Sequence, residues 1–563
     1  MDPFALVSAV GTCYEYANWI IDFCQTWKNA DEEVAERVNI IESCWAKTRL
    51  QVMLIQRTRP IMDAELLRVL DESLDILREK LTIAVAKLQN VQDNKSEIRP
   101  GFFGFRRRAR GDKWALEKDT LDSVIRDLED WQRRCDPSWF LIMRIANPVI
   151  DEELQKAEAA AEATPATSTI TGRFGRGPPC PSPLSLAGGI RDALRRNGPH
   201  RSVFLPEMPL DTSAIPFSTA KTARKKTSSD HSTWYILDTL KFHPGPDTSA
   251  VTDDVRDLAR KLKRADPFTF GLLSCVGAIR VFERVPQTKE KRLVGFELVL
   301  RAPGGVDAQA LCSLRELLVK SADGGGAVPS LTRRVCLAQE LAKSVSYMHT
   351  FDFVHKNICP ESVLVNNSTN PDSPRNRRSS FLVGFGSFRS AGGGTRLLGD
   401  EAWERNIYRH PERQGENPSQ KFKMQHDIYS LGVCLLEIGL WQSFVEHSDN
   451  GTPVAKFGKV CQDFVDNFIK EHQVAVGASQ FGTSQFGIAF VFFKDYLVDL
   501  ARVELPHRMG ERYAEVVVAC LTCLDTDSDG FGDLSDKAEY TDGITLGVRF
   551  LEVIHIRLDE IVL

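Results

Sequence analysis

VHKNICPESVLV, from Val354 to Val365, and LVGFGSF, from Leu382 to Phe388, decide how this chain is read. Their chemistry lies in what they lack. The first carries Asn357 and Ser362, the second Gly384, and none of these is charged. An amide cannot act as a carboxylate base, because its nitrogen is not basic and its oxygen bears no charge. A glycine has no side chain with which to ligate magnesium, an ion that wants charged oxygen ligands. Two later stretches complete an ordered set: YRHPE, ending at Glu412, and HDIYSLGVCLLEI, which contains Asp427.

The set resembles the signature of the protein kinases. Their catalytic loop reads H-R-D-L-x-x-x-N, in which the Asp takes the substrate hydroxyl proton and the Asn holds a second magnesium. Aligned without gaps, His355 falls on the His, Lys356 on the Arg and Ile358 on the Leu. Asn357 replaces the catalytic Asp and Ser362 the metal-binding Asn. Gly384, Phe385 and Gly386 stand where D-F-G would, so the other metal ligand is lost as well. Pro411 and Glu412 resemble the A-P-E that closes the activation segment. Asp427 sits where kinases keep an Asp that hydrogen-bonds the catalytic-loop backbone, and His355 and Phe385 take packing positions. The resemblance implies a pseudokinase, with shape-forming positions kept and working groups exchanged. A chance match inside another α+β domain is the bland alternative; four matches in the right order argue against it.

Length suggests two to four domains, and the 42% hydrophobic and 26% charged fractions are those of globular protein. A net charge of −5 gives no whole-chain reason to expect nucleic acid as a partner. Thirteen cysteines, odd in number and scattered through apolar runs, suit reduced buried thiols in a cytosolic protein. Cys520 and Cys523 form a lone C-x-x-C with no second pair, better suited to helix packing than to zinc. No stretch is long and apolar enough for a membrane span. The apolar N-terminus opens with Asp2 and has no basic residue before Lys28, unlike a signal peptide.

The first third predicts an antiparallel four-helix bundle. Phe4–Trp27 has too many apolar positions for one stripe and is expected to be largely enclosed. Asp31 is a plausible N-cap for a second helix with Val34, Val38, Ile41, Trp45 and Val52 in its stripe, which Pro60 breaks. A third runs from Met62 to Val91 through Leu66, Leu70, Leu74, Leu77, Leu81, Ala84 and Leu88. A fourth is expected from about Lys113 to Arg134, with Pro137 ending it. The opening MDPFALVSAVGTCYEYANWIIDFC resembles the HeLo-like domain of fungal proteins, whose relatives share the four-helix module of the mixed lineage kinase domain-like protein. That resemblance implies a domain that oligomerises and engages membranes when its first helix is released. An ordinary core helix is the competing reading of the stretch.

Between the third and fourth helices, GFFGFRRRARGDK reads as a loop. Phe102, Phe103 and Phe105 are interleaved with Arg106, Arg107, Arg108 and Arg110, the composition of an anionic-lipid contact. It also suits a phosphate backbone or the acidic run at Asp127, Glu129 and Asp130, and a solvated loop without a partner is the commoner outcome for such a charge run. From Gln155 to Pro183 the chain becomes a helix tail and then a linker rich in Ala, Thr, Gly and Pro. The expected division is 1–150 for the bundle, 151–185 for tail and linker, 186–310 for a kinase-like N-lobe and 311–563 for a C-lobe.

Within that N-lobe, Trp234–Phe242 reads as the third strand, but Asp238 lies near the usual lysine position and Lys241 is out of register. The helix beginning at Asp253 offers no Glu. Glycine-rich loop and lysine are both missing, which counts against ATP and leaves only weak, metal-free binding open. No other cofactor is expected. Farther on, Ser387, Ser390 and Thr395 lie beside Gly392–Gly394 and are candidate regulatory phosphosites. DTDSDGFGDLSD has calcium-loop spacing at Asp525, Asp527, Asp529, Asp533 and Asp536, but Asp536 stands where the bidentate Glu belongs. An acidic surface loop is the favoured reading there.

These expectations add up to a multidomain chain: an all-α bundle followed by an α+β bilobal kinase-like fold. Its function would be that of a catalytically inactive switch governing the bundle in fungal cell death or self/non-self defence. The implied partners are other copies of itself, an anionic membrane, and an upstream kinase or receptor, with relocation from cytoplasm to membrane. A soluble scaffold is the alternative. A divergent active kinase is another, with Asp352 or Glu361 as the nearby carboxylates.

Overall fold

The computed structural model describes residues 3–25, 32–96, 106–145, 147–162, 182–195, 202–226, 233–241, 248–284, 291–322, 324–367, 379–387, 389–390, 402–415, 418–447, 455–471, 483–526, 528, 530–531 and 543–561. They form two compact units, divided at Gly188 and Gly189.

The first unit is helical: α1 (Pro3–Gln25), α2 (Glu32–Thr58), α3 (Ala64–Ser96), α4 (Arg106–Leu141) and α5 (Pro148–Glu162). Both α1 and α4 pack against α2 and α3, so four helices share one core. The heptad-like leucines do the burying: Leu66, Leu70, Leu74, Leu77, Leu81 and Leu88 of α3 are almost wholly enclosed. Trp131 of α4 is buried beside them, its Nε1 donating to the Ser73 carbonyl at 2.7 Å. Ion pairs tie α2 to α4 at the rim, Arg37–Asp122 at 2.7 Å and Lys47–Asp136 at 3.0 Å.

Three expectations are corrected here. Among the described side chains of α1, Val10, Cys13, Ala17, Ile20 and Cys24 form one buried stripe, while Tyr16, Trp19, Ile21 and Phe23 are only half-buried, so this part of the helix is not enclosed all round. Two neighbouring helices cover only one side of it. The fourth helix starts at Arg106, not near Lys113, because arginine and alanine are good helix formers. It also runs through Pro137 to Leu141. Proline costs the helix a hydrogen bond, but buried Cys135, Trp139, Phe140 and Leu141 hold this end in place.

The second unit is mixed. After the end of α6 (Pro183–Leu194) come β1 (Phe204–Leu205), β2 (Leu210–Ala214), β3 (Ala220–Lys225), β4 (Trp234–Lys241), α7 (Thr248–Leu262), α8 (Pro267–Phe270), β5 (Cys275–Arg284) and β6 (Lys291–Arg301). The strands form one sheet in the order β1-β5-β6-β4-β3-β2, antiparallel except for β1, which pairs parallel with β5. α7 packs on β5 and begins before the expected Asp253. One sheet face carries Ala223, Leu237, Ile279 and Val299 as a dry cluster.

Beyond the sheet lie β7 (Leu311–Ser313), α9 (Leu314–Ala322), α10 (Leu331–Thr350), β8 (Phe353–Val354), β9 (Val363–Asn366), β10 (Ser380–Leu382), β11 (Arg389–Ser390), α11 (Trp403–Asn406) and α12 (Met424–Leu440). A short hairpin, β12 (Val445–His447) with β13 (Ala455–Phe457), precedes α13 (Lys459–Glu471), α14 (Thr483–Met509), α15 (Glu511–Leu521), α16 (Ile544–Phe550) and α17 (Ile556–Asp559). Every residue of α12 is buried, which makes it the central helix: α10, α14 and α15 all pack on it. A π-turn, Leu551–His555, lies between α16 and α17.

Candidate functional site

The two stretches quoted first come together beneath the sheet. The residues from His355 to Ser362 lead from β8 into β9, and the turn Gly384–Gly386 follows β10, which pairs with β9. Asp427, in the first turn of α12, fixes the first of them. Its Oδ2 accepts the His355 N–H at 2.7 Å and its Oδ1 the Lys356 N–H at 2.9 Å. These two bonds hold Lys356 at φ +63°, a left-handed conformation that costs a non-glycine residue about 1 kcal/mol or more.

His355 then reaches the second stretch. Its Nε2 donates to the Val383 carbonyl at 3.0 Å, and its ring lies 5.1 Å from that of Phe385. Burial pushes the imidazole pKa down to about 4, so the ring is neutral and acts as a packing and hydrogen-bonding group. The Asn357 amide donates to the Gly384 carbonyl at 3.2 Å. Ser362 turns inward on its own loop: Oγ donates to the Cys359 carbonyl at 2.8 Å and accepts the Cys359 N–H at 3.2 Å.

Gly384 sits at φ +84°. A Cβ there would lie 2.8 Å from Ser362 Cβ and 3.2 Å from Asn357 Nδ2. The position is closed to any side chain, a carboxylate included. Directly above, Asp238 of β4 is fully buried, and its Oδ2 accepts the N–H groups of both Gly384 and Phe385 at 2.8 Å. Its Oδ1 is buried without a hydrogen-bond partner, and burial pushes the carboxyl pKa up to about 6. Where the sequence reading looked for a lysine, a carboxylate caps the turn instead.

Lysine and carboxylate chemistry is committed elsewhere. Lys261 of α7 pairs with Asp257 at 3.1 Å and lies 4.1 Å from the centre of the Phe353 ring. Glu361, one of the two candidate replacement carboxylates, meets Arg315 at 3.0 Å. Arg315 is fully buried and also binds Glu437 at 2.9 Å and the Tyr408 hydroxyl. The Tyr408 hydroxyl in turn donates to Glu437 at 3.0 Å. Sequence reasoning missed both this network and the bonds from Asp238 to the Gly384 turn; nothing in a local pattern pairs residues so far apart.

Pro411 opens a short turn, and Glu412 in it meets His426 Nε2 at 3.4 Å and His410 Nδ1 at 3.7 Å. Among the described residues this is the one group of His and carboxylate donors close enough for a metal ion. Its hydrogen bonding does not suit ligation. His426 Nδ1 accepts the Lys423 N–H at 2.7 Å, so Nε2 carries the proton and donates to Glu412. Burial, with His426 nearby, pushes His410 down to about 3, and burial also lowers His426. The hydrogen bond from His426 lowers Glu412.

The remaining candidates are placed in part. Ser387 lies in a short turn and Ser390 in β11, whose backbone pairs with Phe353; their side chains and Thr395 lie outside the described residues. Asp525 holds the Lys494 ammonium, while Asp527, Asp529, Asp533 and Asp536 lie outside the described residues. Phe102, Phe103 and Phe105 lie outside them too; Arg106, Arg107, Arg108 and Arg110 are on the first turns of α4, their side chains not described. Asp127 and Asp130 are already paired, with Lys80 and Arg133. Cys523 donates to the Gln425 carbonyl from just beyond α15, in a buried packing role. No helix among the described residues is long and apolar enough to cross a membrane. No family model matches the chain, and no curated protein matches it either.

Proposed function

We propose that the second unit is a protein-kinase-like fold without phosphotransfer activity, and that it serves as a switch for the helical first unit. The reading is supported by a five-strand antiparallel sheet with one helix on it, followed by helices packed round a buried central one. The bonds from Asp427 to the His355 and Lys356 N–H groups support it as well.

One observation carries the loss of activity. At Gly384 the backbone conformation and the approach of Ser362 exclude a metal-binding side chain, and Asp238 covers the turn from the sheet side. Phosphoryl transfer depends almost wholly on charge placed around the phosphates. Here the three relevant positions are neutral, and the nearest carboxylate faces two backbone N–H groups. In this reading the cleft is a rigid joint. Signalling passes through an upstream kinase or receptor protein, and the first unit answers by self-association and contact with an anionic membrane, in a cell-death or defence role. The chain would then move from cytoplasm to membrane.

Purified full-length chain, incubated with magnesium and labelled ATP, is expected to transfer no phosphate to itself or to a generic substrate. Magnesium-dependent turnover that Asn357→Ala abolishes would overturn the proposal. The membrane arm is tested separately with dye-filled anionic liposomes. Leakage by the full chain should fall at least tenfold when Arg106, Arg107, Arg108 and Arg110 are all changed to Gln. Equal leakage, or none from either chain, would remove that arm.

A further inference from the structure

The large sheet and the small three-stranded sheet meet at the cleft. In the small sheet β10, β9 and β7 lie side by side in that order, with Ser313 of β7 opposite Leu364 of β9. The large sheet is bonded beside the end of each of these strands. Asp238 of β4 takes the Gly384 and Phe385 N–H groups just after β10. The turn between β2 and β3 reaches the other two. Ser218 Oγ donates to the Glu361 carbonyl, just ahead of β9, at 2.8 Å. Ser313 Oγ, at the end of β7, donates to the Pro216 carbonyl at 2.7 Å. A hydrogen bond of that length leaves no layer for a ligand between its two ends.

The backbone of the β2–β3 turn carries an independent sign of this contact. The Ser218 N–H closes the turn onto the Ile215 carbonyl at 3.1 Å, and Ser218 Oγ also accepts the Ala220 N–H at 3.2 Å. Phe217, the third of the four residues, sits at φ +55°, where a turn ordinarily calls for glycine. A phenylalanine keeps a left-handed backbone only where its surroundings fix it. The two bonds fall on its immediate neighbours, Pro216 and Ser218. Ala220, two residues on, is fully buried and pairs across the strands with Asp238. Paired residues share a face, so the turn and the carboxylate bear on the cleft from the same side of the large sheet. The support beneath is fixed as well: the Glu361 carboxylate meets Arg315, which is buried and bound to Glu437 of α12.

We propose that residues 215–218 are a built-in plug, an autoinhibitory contact that takes up the place between the two sheets that an adenine nucleotide would need. The class of ligand excluded rests on the kinase-like reading; the closing contact adds a steric cause to the electrostatic one given above. The two causes differ in consequence. Neutral residues at the metal positions forbid phosphoryl transfer but leave metal-free binding open. A plug forbids binding with or without the metal. It also works in parallel with Asp238, since both join the same two sheets. Losing the serine bonds therefore raises the frequency with which the Asp238 bonds open, although neither serine touches that carboxylate's partners through them.

The test compares the full-length chain with the double variant Ser218→Ala, Ser313→Ala. The first readout is titration with ATP in the presence of EDTA. Apparent affinity scales with the fraction of open chain, so the variant is expected to bind about tenfold more tightly than wild type, or better. Equal affinity, or binding to neither chain, overturns the proposal. The second readout is hydrogen exchange at Gly384 and Phe385, whose N–H groups Asp238 holds. Exchange there should rise by about tenfold or more in the variant, whereas a purely local role for the serines would leave it unchanged. Unchanged exchange in the folded variant also overturns the proposal. Ser313 Oγ accepts the Glu316 N–H at 3.1 Å in the first turn of α9. Should the double variant not fold, Ser218→Ala alone replaces it, with about threefold expected in both readouts. Equal metal-free affinity without phosphate transfer removes the plug and leaves the inactive kinase-like reading standing; magnesium-dependent transfer by wild type removes that reading.

Discussion

The carboxylate of Asp238 accepts the N–H of Gly384 at 2.8 Å, across 146 residues of sequence. That bond joins the sheet to the turn below it. Four polar backbone groups at the head of the turn are answered by side chains: Val383 O by His355, Gly384 N and Phe385 N by Asp238, Gly384 O by Asn357. The turn is therefore held from the sheet above and from the loop below.

Removing Asp238 should be costly. Asp238→Ala leaves two buried N–H groups unpaired and is expected to lower stability by about 2–4 kcal/mol. Its pH dependence has a definite sign. The folded pKa, about 6, lies above the unfolded value of 3.8, so the contribution is full below 3.8 and lost as pH rises through about 6. Relative to Asp238→Asn, wild type should therefore gain on the order of 2–3 kcal/mol in urea unfolding between pH 7 and pH 4. An unchanged difference would show that Asp238 is not buried as described.

Gly384→Ala should destabilise by about 2–4 kcal/mol, combining left-handed strain with a contact 2.8 Å from Ser362 Cβ. Gly384→Asp together with Asn357→Asp should restore no phosphotransfer, because the side chain has no room to reach a metal. Thermal melting of the single variant checks the first statement and a phosphate-transfer assay the second.

The His410–Glu412–His426 group should make its corner of the fold sensitive to acid. Both imidazoles have folded pKa values below the ordinary 6.5, and Glu412 lies below 4.5. Their stabilisation is therefore present above about pH 6.5 and lost as pH falls through the folded values. Protonating His426 would also place a proton on the nitrogen that accepts the Lys423 N–H. Hydrogen-exchange protection over residues 406–427, taken relative to the intrinsic rate at each pH, should fall between pH 7.5 and 5, and His410→Asn with His426→Asn should flatten that response. A loss of protection unaltered by the double change would assign it elsewhere.

Asp427→Asn keeps the shape but replaces one accepting oxygen with a donor that faces a backbone N–H. A loss of about 2–4 kcal/mol is expected, with the cooperative transition retained. In the first unit, Leu70→Ala, at a fully buried site, should cost about 2–5 kcal/mol. Chemical denaturation measures both.

Periodicity located α2 and α3, because burial of one face recurs at helical spacing in Val34, Val38, Ile41, Trp45 and Val52 and in Leu66, Leu70, Leu74, Leu77 and Leu81. The kinase resemblance drew attention to Asn357, Ser362, Gly384 and Asp427, which do lie close in space. The local reading misjudged α1, since an apolar composition does not say how many neighbours a helix has. It stopped α4 at Pro137, since a propensity cannot weigh the buried Trp139 against one lost hydrogen bond. Only the tertiary structure decided what faces the Gly384 turn. A carboxylate on β4 and a buried arginine on α9 make pairings between distant segments. Their energies depend on desolvation and on distances of a few ångströms, quantities that exist only once the chain has folded.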